Sequence, residues 1–340
     1  MSHKVQVEPS GHQFTVEENE TILDAAIRQG VNLPYGCRNG FCGDCRAALS
    51  QGEINYPNGQ PPVMSDNETD VCYTCQAAAS SDLTIGVAEI IASTDIQTRI
   101  MPCKIDSIDR LNEDVIRLKL KLPEGERLQF LAGQYLNFIL NDGSKRAFSI
   151  ANAPHDDEHI ELHVRHVSGG AFTDQLFNGM QEKTILRIEA PLGSYYLREE
   201  SDRPIILMGG GTGFAPLKGI IEHAFQIGVN RPMHLYWGVR SRDDLYLPDL
   251  PEQWAAQYPN FNYTPVLSEP DMDWQGRSGW VHEAVIENYP DLSAHEVYMS
   301  GPPPMIQAGK DAFLAHGLSD EKLYSDSFEY GAAAVTAKSG

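Results

Sequence analysis

The chain of 340 residues is 41% hydrophobic and 9% aromatic, which excludes a disordered acidic chain and leaves room for two or three domains; we expect three. Its formal net charge of -21 excludes the positive surface needed to release counterions from a phosphate backbone, so nucleic acid is not an expected partner. No run of 18 or more apolar residues occurs, and Met1 to Ser10 lacks an apolar core behind a basic segment, so no membrane span is expected and the cytoplasm is the expected compartment.

Residues 4 to 18 alternate as short strands around a turn at Pro9 to His12. Thr21 stands where a helix N-cap belongs, with Asp24 three residues on. Ile22, Leu23, Ala26 and Ile27 recur at helical spacing, and Gly30 is placed to end the helix. The first 95 residues carry thirteen Asp and Glu against four Lys and Arg. That charge fits a basic protein partner, and equally the plain role of keeping the protein in solution.

Directly after the helix, Cys37, Cys42 and Cys45 form a C-x4-C-x2-C pattern, and Cys75 follows after 29 intervening residues. This is the plant-type 2Fe-2S spacing. Glycines at 36, 40 and 43 let the loop turn its amide N–H groups towards sulfur, which tunes the cluster. A structural zinc site uses four thiolates in two short pairs and fits three clustered cysteines poorly. Cys72, three residues before Cys75, is the alternative fourth ligand; spacing favours Cys75. Cys103 reads as a lone thiol.

The stretch Glu89 to Pro102 reads as a connector. Beyond it, Val115 to Leu122, Gln134 to Leu140, His159 to Val167 and Thr184 to Ile188 are strand-like, which points to an antiparallel barrel. Within it Arg146-Ala147-Phe148-Ser149, His163-Val164-Arg165 and Gly169-Gly170-Ala171-Phe172-Thr173 offer an Arg for a pyrophosphate, an aromatic for a flavin face, a hydroxyl for the flavin N5 and a glycine turn for phosphate. Each also suits an ordinary strand. The cluster sharpens the reading: a nicotinamide gives up two electrons as hydride and a 2Fe-2S cluster takes one at a time, so a chain with both needs the converter that flavin supplies.

After Arg203 strands and helices alternate. The strands are Pro204 to Met208, Met233 to Val239, Phe261 to Leu267 and Glu296 to Ser300, the pattern of a doubly wound parallel sheet. The first runs into Gly209-Gly210-Gly211-Thr212-Gly213, where glycines and a helix start favour a nucleotide phosphate, although the G-x-G-x-x-G fingerprint is absent. The last ends at Ser300-Gly301-Pro302-Pro303-Pro304-Met305, also at a carboxyl edge; a plain Pro-Gly turn into a helix explains that segment as well. Arg240 and Arg242 suit a 2'-phosphate while Asp243 and Asp244 oppose one, so NADH is favoured and NADPH stays open. Gly331 to Gly340 reads as a loose tail.

Together these residues resemble the single-chain reductases that carry an N-terminal plant-type ferredoxin followed by a ferredoxin-NADP reductase-like module, the family that serves benzoate dioxygenase, phenol hydroxylase and soluble methane monooxygenase. Asn32 to Gly40, Ala151 to Glu158 and Arg165 to Asp174 are most similar to its CDP-6-deoxy-delta-3,4-glucoseen reductases. The resemblance implies a multidomain fold: a β-grasp 2Fe-2S ferredoxin domain over 1–93, an antiparallel Greek-key β-barrel for FAD over 98–198 and an α/β NAD(P) domain over 203–330. It implies an R-x-Y/F-S flavin motif at Arg146, Phe148 and Ser149, an FAD-pyrophosphate turn at Gly170 to Thr173, and a nicotinamide loop at Gly210 to Gly213. Phe328 is the candidate aromatic that shields the flavin, the plain alternative being a cover for the sheet edge. Many relatives have Cys where Ser300 stands, so hydride transfer is expected to be slower here, not absent.

The expected path runs from NADH to FAD, to the cluster and on to a separate acceptor protein, an oxygenase, a hydroxylase or a PMP-dependent deoxysugar dehydrase. A flavin reductase that releases reduced free flavin, and a redox sensor, are the rival readings.

Overall fold

The helix α1 (Ile22–Arg28) starts where its cap dictates: the Thr21 hydroxyl accepts from the Asp24 amide at 3.1 Å. It ends at Gly30, whose φ of +75° suits the left-handed position after a helix. Its apolar face buries Ile22, Leu23, Ala25 and Ala26. The computed structural model describes residues 2–18, 20–65, 67–87 and 96–328. It forms two units, Met1–Thr98 with Gly193–Tyr195, and Arg99–Leu192 with Tyr196–Gly340.

In the first unit β1 (His3–Glu8), β2 (Gln13–Val16), β3 (Arg46–Gln51), β5 (Val71–Tyr73) and β7 (Leu83–Gly86) form one sheet in the order β2-β1-β7-β3-β5; β4 (Ile54–Asn55) pairs with β6 (Ala78–Ala79) apart from it. Strands β1 and β7 run parallel and their other neighbours antiparallel, and α1 packs beside β2. A helix on a mixed sheet of this order is the β-grasp.

The second unit begins with a six-stranded antiparallel sheet of β8 (Arg99–Arg110), β9 (Val115–Lys121), β10 (Tyr135–Ile139), β11 (Lys145–Ser149), β12 (Ile160–Arg165) and β13 (Ile185–Leu192), ordered β11-β10-β13-β8-β9-β12. A bridge between Ile150 and Leu162 joins the two edges and closes it into a barrel. Ile105, Leu118, Leu136, Phe138, Leu162 and Ile188 fill the interior, and burying each such side chain contributes about 1.5–3 kcal/mol.

Two expectations change here. The connector expected over Glu89 to Pro102 has 89–95 outside the described residues, and from Arg99 onward it is strand, not connector. Met101, Cys103 and Ile105 alternate inward, but Pro102 hides that period; it lies on the part of β8 paired only with β13, where a missing N–H is tolerated. The glycine turn at Gly169 and Gly170 continues into a helix, α2 (Ala171–Asn178). The tail expected over 331–340 lies outside the described residues.

The rest of this unit is a parallel sheet of β14 (Ile205–Gly210), β15 (Met233–Val239), β16 (Phe261–Leu267), β17 (Arg277–Ser278), β18 (Glu296–Gly301) and β19 (Leu323–Ser327), ordered β17-β16-β15-β14-β18-β19. Helices α3 (Phe214–Gln226), α4 (Asp249–Gln257), α5 (Val281–Asn288) and α6 (Pro303–Ala315) connect the strands. Strands β14 and β18 are buried at every residue, as a sheet covered on both faces requires. The chain winds outward from β14 to β16, then restarts at β18 on the other side. That reversal makes the carboxyl ends of β14 and β18 a topological switch point, where such sheets bind ligands. Among the described residues no helix is long and apolar enough to cross a membrane.

Candidate cluster, flavin and nucleotide sites

In the cluster loop the four expected ligands meet as two sulfur pairs. The Cys37 amide donates to Cys42 Sγ and the Cys42 amide to Cys37 Sγ, both at 3.4 Å, while Cys45 Sγ and Cys75 Sγ lie 3.2 Å apart. The bond from Cys42 and the backbone amides of Asn39, Cys42 and Phe41 hold the Cys37 thiol down at about 5; Cys45 likewise lowers Cys75, and Cys42 and Cys45 are pushed up in return. Two pairs with amides aimed at sulfur fit a centre of two irons taking two thiolates each. Among the described residues no group of three or more His, Cys, Asp or Glu is placed around a single ion. Cys72 is fully buried on β5 opposite Ala47, and burial pushes its thiol up to about 12.

The three loop glycines serve different ends. Gly40 and Gly43 have φ of +85° and +84°, angles that side chains resist. Gly36 has no such angle: a Cβ there would lie 2.4 Å from Asp44 Oδ2 and 3.2 Å from Cys42 Sγ, so a side chain would have to displace the Asp44 carboxylate and crowd a ligand sulfur.

Among the flavin candidates, Ser149 Oγ donates to Asp326 Oδ2 at 2.7 Å. Arg146 and Phe148 share a face of β11; Arg146 bonds the Lys145 carbonyl at 2.8 Å, and Phe148 packs on Phe138 and Phe172 with ring centres 5.6 and 5.4 Å apart. Ala147 faces outward, and Val164 is buried in the barrel core. His163 is buried with both ring nitrogens engaged, to Tyr246 and Glu161. Arg165 pairs with Asp114 at 2.7 Å and Asp244 at 3.2 Å. Gly170 is the N-cap of α2, which Ala171 opens, and among the described residues no side-chain cap bonds its first amides, as an anion site requires. A Cβ on Gly170 would strike Thr173 Oγ1 at 2.5 Å, and that hydroxyl donates to the Val167 carbonyl at 3.0 Å.

The nucleotide candidates converge at the switch point. A Cβ on Gly213 would lie 2.0 Å from the Ser300 carbonyl oxygen, one on Gly210 2.5 Å from Met305 Sδ and 3.0 Å from Pro302 Cδ, and one on Gly301 3.1 Å from the Gly210 backbone. At Gly213 and Gly301 backbone meets backbone and only glycine fits, while at Gly210 the Met305 side chain and the Pro302 ring close the space. Gly211 and Thr212 complete a single 3-10 turn that leads into α3 without a side-chain cap. Ser300 is fully buried and its Oγ has no hydrogen-bond partner among the described residues, an orphaned polar atom at the carboxyl edge. The Phe328 amide donates to the Gly301 carbonyl at 2.9 Å. Arg240 is exposed; Arg242 lies over the Trp274 ring at 5.4 Å and 3.6 Å from Asp271.

Sequence reasoning missed four residues here: Asp326, Glu161, Tyr246 and Trp237. Asp326 reaches Ser149 only because β19 pairs in register with β18, Ser300 opposite Asp326, and β19 was not expected as a strand.

Two sulfur pairs in a β-grasp, a barrel with an uncapped helix start and a parallel sheet with a glycine-lined switch point define an iron-sulfur flavoprotein oxidoreductase. The comparisons agree: residues 5–80 match the 2Fe-2S iron-sulfur cluster binding domain, 102–196 the oxidoreductase FAD-binding domain and 207–311 the oxidoreductase NAD-binding domain. The chain is 40% identical to the CDP-6-deoxy-L-threo-D-glycero-4-hexulose-3-dehydrase reductase of Yersinia pestis, covering 96% of this chain and 99% of that one. It is 33% identical to the terephthalate 1,2-dioxygenase reductase component 1 of Comamonas sp, covering 96% and 98%. The crystal structure of the Amycolatopsis reductase GcoB superposes with a TM-score of 0.82 at 32% identity, covering 96% and 98%. The chain belongs to the family of single-chain reductases with ferredoxin, FAD and NAD domains. It is an NAD(P)H-dependent oxidoreductase whose cofactors are FAD and a 2Fe-2S cluster.

Proposed function

We propose that the protein passes electrons from NADH to a separate acceptor protein, through residues assigned as follows. Bound FAD supplies the change from a two-electron donor to a one-electron acceptor, and the cluster supplies the one-electron exit. Cys37 and Cys42 would hold one iron and Cys45 and Cys75 the other. The observation that carries this is the meeting of the four sulfurs in two pairs under backbone amides.

Gly170 to Thr173, at the open start of α2, would bind the flavin pyrophosphate, with Arg146 as its cation. Ser149, which donates to Asp326, would meet the flavin edge through its hydroxyl oxygen. Gly210 to Gly213 with Gly301, Pro302 and Met305 would bind the nicotinamide nucleotide, beside the Ser300 hydroxyl. Phe328, whose amide donates to the Gly301 carbonyl, would cover the flavin until the nucleotide arrives. Arg240 would be the nucleotide's cation, and Arg242, with Asp271 beside it, is less available to the 2'-phosphate of NADPH, which favours NADH.

The acceptor is an oxygenase or a PMP-dependent dehydrase of a nucleotide-linked deoxysugar. The 40% identity to a dehydrase reductase, against 33% to a dioxygenase reductase, favours the dehydrase. The cluster loop, where Phe41 is 55% exposed on an acidic unit, is the face we assign to it. The domains run over 1–93, 98–198 and 203–330, and the compartment is the cytoplasm.

The test is the visible spectrum of the purified protein, followed by NADH without oxygen. Flavin and cluster absorption that both bleach support the path. A colourless folded holo preparation ends it, and turnover that requires added free flavin would give the flavin-reductase reading instead.

A further inference from the structure

His163 stands on the barrel strand β12, and its ring nitrogens face the Tyr246 hydroxyl and the Glu161 carboxylate, each at 3.0 Å. Burial lowers the imidazole pKa, so the ring is neutral and the bonds take one sense: Nε2–H donates to Glu161, and Nδ1 accepts from Tyr246. Glu161 also faces Lys218 Nζ at 3.3 Å, and that ammonium reaches Glu222 at 2.8 Å and the Ala151 carbonyl at 3.3 Å. This polar chain therefore runs from the barrel into α3 and to Tyr246 with its hydrogen bonds made.

Beyond Tyr246 the chain continues through rings. Tyr246 meets Trp237 edge to face with centres 5.1 Å apart, and Trp237 stacks on Phe214 at 4.1 Å. The Trp237 indole donates its Nε1–H to the Gly211 carbonyl at 2.9 Å. Gly211 has a φ of +54°, and 3.1 Å from where a Cβ would stand lies the Arg165 guanidinium, again from β12. A turn of glycines has little side chain with which to fix itself. Its place is set by what grips its backbone.

We propose that His163, Tyr246 and Trp237 are positioning residues, a buried relay that ties the Gly211–Gly213 turn to the flavin-barrel strand β12 and so sets where the nicotinamide half of the coenzyme lies. The inference rests on the NAD reading of that turn. It gives His163 a role that does not touch the cofactor. Hydride transfer needs its reacting atoms about 3–3.5 Å apart, and a misplacement of about 1 Å costs about a hundredfold. A core tryptophan needs only some partner for its N–H; here the partner is the nucleotide turn, and the polar chain behind it ends in the other half of the site.

The test uses the holoenzyme and two variants that keep the rings: Trp237→Phe, which loses the N–H, and Tyr246→Phe, which loses the hydroxyl. NAD+ affinity is measured by calorimetry, flavin reduction by anaerobic stopped flow, and FAD content and Tm alongside. The expected result is NAD+ binding weakened roughly tenfold in Trp237→Phe and roughly threefold in Tyr246→Phe, with flavin reduction slowed in the same order and FAD content unchanged. Parental affinity and rate in Trp237→Phe would overturn the relay. So would a loss of affinity that comes only with loss of FAD and a lowered Tm, since the rings would then be core packing. A parent that binds NAD+ but is not reduced by NADH breaks the electron-transfer reading alone, and the affinities still decide the relay.

Discussion

The cluster loop and the nucleotide turn both depend on glycine, and Gly43 and Gly213 show two different reasons for it. Gly43 in the loop has φ +84° and its nearest neighbour 3.5 Å from where a Cβ would stand, so it is there for its angle. Gly213 has an ordinary helical φ of -58° but would drive a Cβ to 2.0 Å from the Ser300 carbonyl, so it is there for space. The loop is mostly one contiguous stretch that shapes itself. The turn is the meeting of two strand ends some 90 residues apart, and it tolerates change only as far as the opposite backbone can retreat.

The largest effect is expected where that comparison is broken outright. Cys42→Ser removes a cluster ligand, so cytochrome c reduction should fall to background while NADH-driven ferricyanide reduction, taken at the flavin, persists. Cytochrome c reduction at the parental rate would rule out the route through the cluster. Gly213→Ala should cut kcat/KM for NADH by about a hundredfold or more, because overpacking against backbone costs typically 1–3 kcal/mol and also displaces the turn. Its cluster absorbance should stay parental, and a near-normal KM would show that the strands can part.

Smaller effects sharpen the contrast. His234, bonded to Tyr289 and Thr264, is held by burial at about 4. The unfolded chain therefore binds a proton below about pH 6.5 that the folded chain refuses until about pH 4. Stability of the nucleotide sheet should fall as pH drops through that window, by up to roughly 3 kcal/mol, and thermal melts of His234→Asn against the parent should converge below it. Gly43→Ala, strained in angle only, should cost about 1–2 kcal/mol of stability and leave NADH binding untouched. Ser300→Cys replaces an orphaned hydroxyl with a thiol that is easier to bury; a few-fold faster flavin reduction is expected by stopped flow. An unchanged rate would mean the position does not govern hydride transfer.

Why one site was legible and the other less so follows from the same contrast. The C-x4-C-x2-C run and the Thr21 cap are local patterns, and local chemistry decides them. Strand β8 was misjudged because Pro102 interrupts an inward alternation that only pairing with β13 reveals. His163 was read only as a cofactor candidate, because nothing in the sequence places Tyr246 beside it. Asp326 was passed over for its neighbour Phe328, since its reach to Ser149 depends on the register of an unforeseen edge strand.

The two cysteines outside the loop lend themselves to chemical labelling. Cys72 and Cys103 are buried, and burial pushes each thiol up to about 12, which denies an alkylating reagent both access and thiolate. In folded protein stripped of iron, every thiol that a maleimide labels should therefore be a cluster ligand, and labelling should fall as clusters are filled. The chain carries its own gauge of cofactor loading.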